Sequence, residues 1–223
     1  MGAFSTGIFL LGITFIYGAT GTFQLIAPTV NPANGMVREQ LMQSAGLILI
    51  FVSFNFKVSA APFHFWTPDV YEGAPTIFTM FMSTVVKAAS FAALYQLLNG
   101  PFGSMYGTWV YPIYYISMLT LLVGNITAVY QQSLKRMLAY SSISHAGYML
   151  LTVSAKQVTT PSTILYYSLS YTLATIVAFG VVMLVAEYQT GRTEKPENIS
   201  SFEGLAKQNP GLAFCFTIAM LSL

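Results

Sequence analysis

Charge is what this chain has least of. Of its 223 residues, 9 are Lys or Arg and 7 are Asp or Glu, 7% in all, against about 25% in ordinary soluble domains. A surface with so few ions is not built to face water, so water is not the solvent for most of it. The formal net charge is only +2, and the basic residues are scattered, so no nucleic-acid partner is indicated. Cysteine is nearly missing as well. Cys215 stands alone, which rules out an intrachain disulfide and a thiolate-held metal or iron–sulfur centre. With just two histidines, His64 and His145, no familiar ligand spacing exists, and no cofactor is expected in this chain.

What the chain has is apolar sequence. Hydrophobic residues make up 55% of it, and the mean hydropathy is +0.63. Six apolar stretches, at about 2–20, 41–65, 76–98, 110–130, 138–155 and 162–187, lie near the ~20 residues that cross ~30 Å of hydrocarbon. A seventh, from Gly211 to Leu223, reads as a partial span. The connections are rich in Gly, Pro and Asn, as at Ala27-Pro28 to Gly35, Asn99-Gly100-Pro101 and Gly191 to Pro196. In lipid every backbone group must be satisfied within its own segment, so the expected fold is all-α, a polytopic transmembrane helix bundle forming one membrane domain over residues 1–223. Met1 runs into Gly2-Ala3-Phe4-Ser5 without a charged leader, and the expectation is an internal piece of a longer subunit. If the spans alternate, Lys135, Arg136, Arg192, Lys195 and Lys207 share one side and Arg38 and Lys156 the other, which places the first set in the cytoplasm.

Two lysines stand inside apolar stretches. An ammonium near the bilayer centre costs roughly 2.5–3.5 kcal/mol on insertion scales, so each is a candidate for function. Lys87, in Val85-Val86-Lys87-Ala88-Ala89, lies at mid-depth, too far from an interface to snorkel. It reads as a proton carrier, the alternative being a structural partner for a buried carboxylate. Lys57 precedes Ser59-Ala60-Ala61-Pro62-Phe63-His64. Pro62 lacks an N–H and clashes with the preceding turn, so a break is expected there, with freed carbonyls open to water or to Lys57. At helical spacing Lys57, Ala60, Ala61 and His64 would form one face able to admit water between the two titratable groups.

On the stretch Tyr140-Ser141-Ser142-Ile143-Ser144-His145-Ala146-Gly147-Tyr148, the residues Ser141, Ser144, His145 and Tyr148 share a helical face. They read as part of a hydrogen-bonded wire, with His145 its titrating member. The cluster Tyr166, Tyr167, Tyr171, Thr172 and Thr175 reads as ordinary packing or an aromatic belt. Asp69 and Glu72 fall in a Pro-bounded turn and read as cap or subunit-contact residues, with a proton-uptake funnel as the alternative. Lys135 and Arg136 read as interfacial anchors.

The run from Ala61 through Pro62-Phe63-His64-Phe65-Trp66-Thr67-Pro68-Asp69-Val70-Tyr71-Glu72-Gly73-Ala74-Pro75 resembles the antiporter-like membrane subunits of respiratory complex I, and among them the subunit N family of NADH-quinone oxidoreductases. The runs Ser133 to Tyr148, and Gly2-Ala3-Phe4-Ser5-Thr6-Gly7 leading to Tyr17-Gly18, resemble the same family. The resemblance implies the antiporter-like fold with its broken helix near Pro62. It also implies proton translocation through a lysine, histidine and water axis to which Lys57, Lys87 and His145 correspond; the helical faces read above add His64, Ser141, Ser144 and Tyr148 as further relay candidates. NADH and quinone would be substrates of the whole complex, handled elsewhere. Partners would be its other membrane subunits and the lipid bilayer. The location would be a bacterial plasma membrane or an organellar one. A subunit of a multisubunit cation/proton antiporter and a structural membrane scaffold are the alternatives.

Overall fold

The computed structural model describes residues 2–24, 36–155, 160–188 and 197–223. Pro28, Lys156, Arg192 and Lys195, used above for a connection and for orientation, lie outside the described residues. The described part is helical: α1 (Gly2–Thr20), α2 (Met36–Val58), α3 (Trp66–Gly73), α4 (Thr76–Phe81), α5 (Lys87–Asn99), α6 (Tyr106–Val129), α7 (Leu134–Ser154), α8 (Thr160–Tyr188), α9 (Leu205–Gln208) and α10 (Pro210–Ser222). Among the described residues, five segments are long and apolar enough to span a membrane: Gly2–Thr20, Val37–Val58, Thr76–Asn99, Gly103–Val129 and Pro161–Glu187.

Helix α7 has the length of a span but a different character. Its serines, Lys135, Arg136 and His145 lower its hydropathy, and most of its residues are buried, from Leu134 and Leu138 through Ser142, His145 and Met149 to Val153. It is the central helix of the bundle, packed on α3, α6 and α8. Protein rather than lipid is its solvent, so its polar side chains are tolerated.

Small residues set the tightest crossings. A Cβ added to Gly12 of α1 would stand 2.9 Å from the Gly46 oxygen of α2, and one added to Gly46 would stand 2.8 Å from the Gly12 oxygen. Backbones that close can pack by dispersion alone where lipid offers no hydrophobic drive. A serine pair fastens the same two helices, the Ser53 hydroxyl donating to the Ser5 carbonyl at 2.9 Å. Helices α6 and α7 repeat the device at Gly124, where a Cβ would come within 2.8 Å of the Ser144 nitrogen.

The expected break near Pro62 is present, and it shortens the 41–65 span. Helix α2 ends at Val58, and Ser59 takes a left-handed backbone at φ 65°. The freed groups find new partners, as a buried break requires. The Ala61 N–H leaves the helical ladder for the Thr120 hydroxyl at 2.9 Å, the Trp66 indole donates to the Phe56 carbonyl at 3.0 Å, and the Thr67 hydroxyl donates to Ser59 Oγ at 2.6 Å. Because the helix stops at Val58, the single face of Lys57, Ala60, Ala61 and His64 does not form. The 76–98 stretch has its own irregularity, a π-helical turn over Met82–Val86 that delivers the chain to Lys87.

Two apolar clusters flank the middle of α7. Leu138 and Ala139 belong to one with Tyr71, Phe179 and Val182, and Ala146, Met149 and Leu150 to the other with Phe51, Phe91, Trp109 and Tyr171. The turn between them carries Ser142 and His145.

Candidate functional site

Lys87 is 1% exposed. Its Nζ donates to the main-chain oxygen of Ser142 at 2.6 Å and meets the Ser142 hydroxyl at 2.5 Å. Among the described residues no carboxylate pairs with it, the ion pairs there being those of Lys135 and Arg136. Burial of an ammonium against neutral oxygens alone is expensive in a low dielectric.

One turn along α7, His145 is also buried. Its Nε2 lies 2.6 Å from the main-chain oxygen of Leu223, and its Nδ1 lies 2.6 Å from the Tyr167 hydroxyl. With the ring hydrogen on Nε2, a neutral His145 accepts from the Tyr167 hydroxyl at Nδ1. Its ring also lies 4.8 Å from that of Tyr171, centroid to centroid. Tyr71 of α3 and Tyr171 of α8, both buried, lie in the neighbourhood of the Ser142 side chain. Four elements therefore converge on one serine: α5 through Lys87, α3 through Tyr71, α8 through Tyr171, and α7 itself.

The other candidates fall elsewhere. Lys57 is exposed in this chain, its ammonium 5.7 Å above the centre of the Phe9 ring of α1. His64 is 7% exposed and stacks on Phe65 with centroids 4.6 Å apart, and its Nδ1 finds no partner among the described residues. The wire proposed along Ser141, Ser144, His145 and Tyr148 divides. Ser144 donates to Asn125 of α6 at 3.1 Å, while His145 turns to α8. Tyr148 is 45% exposed and presents its ring to His145 at 6.2 Å. Ser141 is half-buried and is not among the groups that meet Lys87 or His145. Sequence reasoning missed Ser142 and Tyr71 and set the tyrosines of α8 aside. The i, i+4 spacing of Tyr167 and Tyr171 was the available signal.

A second polar group ties one end of α7 to the broken segment. Arg136 reaches Glu72 at 2.8 Å and Asp69 at 3.0 Å, and the hydrogen bond to Glu72 is the main cause that holds its guanidinium above the ordinary arginine range. Lys135 pairs with Glu197 and donates to the Ala74 carbonyl at 3.3 Å. Asp69 and Glu72 thus serve as counter-charges for Arg136, and the two cations read as interfacial anchors are fasteners between α7, α3 and residues 197–199. Among the described residues, no three His, Cys, Asp or Glu side chains gather as metal ligands.

Membrane-length helices interrupted near Pro62 and packed about a polar central helix define a polytopic, antiporter-like membrane protein. The chain belongs to the NADH:quinone oxidoreductase/Mrp antiporter transmembrane family, whose family model matches residues 1–223. A curated relative named NADH-quinone oxidoreductase subunit N, from Trichlorobacter lovleyi, is 45% identical over 225 residues, covering 100% of this chain and 45% of the relative. Among solved structures, a chain of respiratory complex I from Thermus thermophilus with bound aureothin is 36% identical with a TM-score of 0.72, covering 99% of this chain and 45% of that one. A chain of the membrane-bound sulfane sulfur reductase, an archaeal respiratory membrane complex, is 27% identical with a TM-score of 0.82, covering 98% and 44%. The chain spans less than half the length of these relatives.

Proposed function

We propose that this chain forms the central part of a proton-translocating membrane subunit of an NADH:quinone oxidoreductase, with Lys87 and His145 as proton-carrying groups and Lys57 a further member of the path. The observation that carries the reading is the burial of Lys87 against Ser142 with no carboxylate partner among the described residues. A lysine whose ammonium rests on a hydroxyl and a main-chain oxygen can exist as ammonium or as amine. The chain would hold no redox centre, so electron transfer would occur in other subunits and couple to it through the assembly. Its neighbours would be other membrane subunits and lipid, in a bacterial inner membrane or an organellar one. The names of the curated relatives support the oxidoreductase over an independent cation/proton antiporter.

The test is Lys87→Ala in the full-length subunit within the assembled complex, with NADH-driven proton uptake into proteoliposomes as the readout. The expected result is normal abundance of the complex with pumping strongly reduced. Failure of assembly with pumping intact in the residual complex would favour a scaffold.

A further inference from the structure

We propose that Ser142 is the proton-exchange partner of Lys87, passing protons between the lysine and the tyrosine–histidine cluster of α7 and α8. The inference rests on the reading of Lys87 as a proton carrier and names the group through which that lysine acts.

The argument begins with what hydroxyls ordinarily do inside helices. They bond back to the carbonyl one turn earlier, and many in this chain do so: Thr14 to Leu10, Ser90 to Val86, Ser117 to Ile113 and Thr152 to Tyr148. The Ser142 hydroxyl instead points across to Lys87 at 2.5 Å. It is 2% exposed, and Tyr71 and Tyr171 of two other helices, at 1% and 5%, lie in its neighbourhood. A hydroxyl accepts through its lone pairs while donating its own hydrogen, so it can receive one proton and release another. The main-chain oxygen of the same residue, 2.6 Å from Nζ, can only accept and holds the amine in place.

The transfer balances without any electron moving. An N–H bond of the Lys87 ammonium breaks as a new O–H bond forms on Ser142, and the original Ser142 proton leaves for the Tyr171 hydroxyl. Tyr171 passes its own proton to Tyr167, and Tyr167 gives up its proton to Nδ1 of His145, 2.6 Å away. Lys87 ends as a neutral amine and His145 as an imidazolium; each hydroxyl ends as it began. The direct contacts on this route are Lys87 to Ser142 and Tyr167 to His145; the steps from Ser142 to Tyr171 and from Tyr171 to Tyr167 each pass through one intervening water. Tyr71 gives the same serine a second outlet, toward the broken segment.

The test compares Ser142→Ala, Ser142→Val and Ser142→Thr in the full-length subunit of the assembled complex, with proton uptake per NADH oxidised in proteoliposomes as the readout. Val and Thr have nearly the same shape, so a packing role would make them behave alike. The expected result is a loss of roughly tenfold for Ala and Val, the effect of one hydrogen bond to a charged group, with Thr retaining most of the parental rate. Lys87→Ala is run beside them. Parental pumping in Ser142→Ala and Ser142→Val with Lys87→Ala impaired overturns this inference alone, as does a Thr variant no better than Val. Parental pumping in Lys87→Ala overturns the reading on which it rests.

Discussion

Lys57 and Lys87 look alike in the sequence, each a lone cation inside an apolar stretch, yet the fold treats them differently. Lys87 enters through a π-helical turn, is sealed from solvent and ends on Ser142 of the central helix. Lys57 sits in the last turn of α2, exposed, above the face of Phe9. Aromatic faces attract a cation modestly, by about 0.5–1 kcal/mol at exposed sites, and among the described residues the Phe9 ring is the group that meets the Lys57 ammonium. The chain thus has one lysine seated in a hydroxyl network and one held at the edge of a pairwise helix contact. Hydropathy places a cation within a span; what the cation can exchange with is decided by the helix that packs against it.

The strongest way to break this comparison is to remove each lysine in turn. Lys87→Ala should reduce proton uptake on the order of a hundredfold, in the range of general acid–base groups, and Lys57→Ala by less than about tenfold. Equal losses would mean that Lys57 reaches an exchange partner beyond the described residues.

A smaller effect separates the two helix pairs. Gly124→Ala drives a Cβ to 2.8 Å from the Ser144 nitrogen, backbone that cannot turn aside, so α6 and α7 must part at the turn that carries the site. We expect a stability loss of about 1–3 kcal/mol together with lower pumping per assembled complex. Gly12→Ala meets the Gly46 oxygen at 2.9 Å in the α1–α2 pair and should lower thermal stability by a similar amount while pumping per complex is retained. Detergent-solubilised melting curves beside proteoliposome assays distinguish the two outcomes.

The fasteners come next. Glu197→Gln leaves Lys135, whose side chain is 3% exposed, without its counter-charge; with Glu197 itself 28% exposed, water softens the penalty to about 1–3 kcal/mol. Arg136→Gln should cost about 0.5 kcal/mol or less, because its partners are solvent-accessible and salt screens them. The sign of its pH dependence is fixed by its raised pKa. The Arg136 contribution is complete below the ordinary arginine value and lost only as pH rises through the still higher folded value. On the Arg136 side, melting temperature should therefore be flat between about pH 6 and pH 9.

The architecture was legible because lipid imposes helices and Pro62 imposes a break, both local rules that a single sequence carries. Lys87 and His145 stood out as candidates because ionisable groups in apolar stretches are costly. Ser142 did not, since a serine between two other serines has no distinguishing signal until α5, α3 and α8 are placed around it. The supposed face from Lys57 to His64 failed for a related reason. It extended helical spacing across residues 59–62, where Ser59 has a left-handed backbone and the Ala61 N–H has turned to Thr120.

Lys87→Arg in the assembled complex tests the central claim most directly, because arginine keeps the positive charge but does not release its proton near neutral pH. With the complex present at parental abundance, proton uptake per NADH oxidised should fall as far as it does in Lys87→Ala. Parental proton uptake in the arginine variant would contradict the account, showing that position 87 supplies a fixed charge and that protons travel by another route.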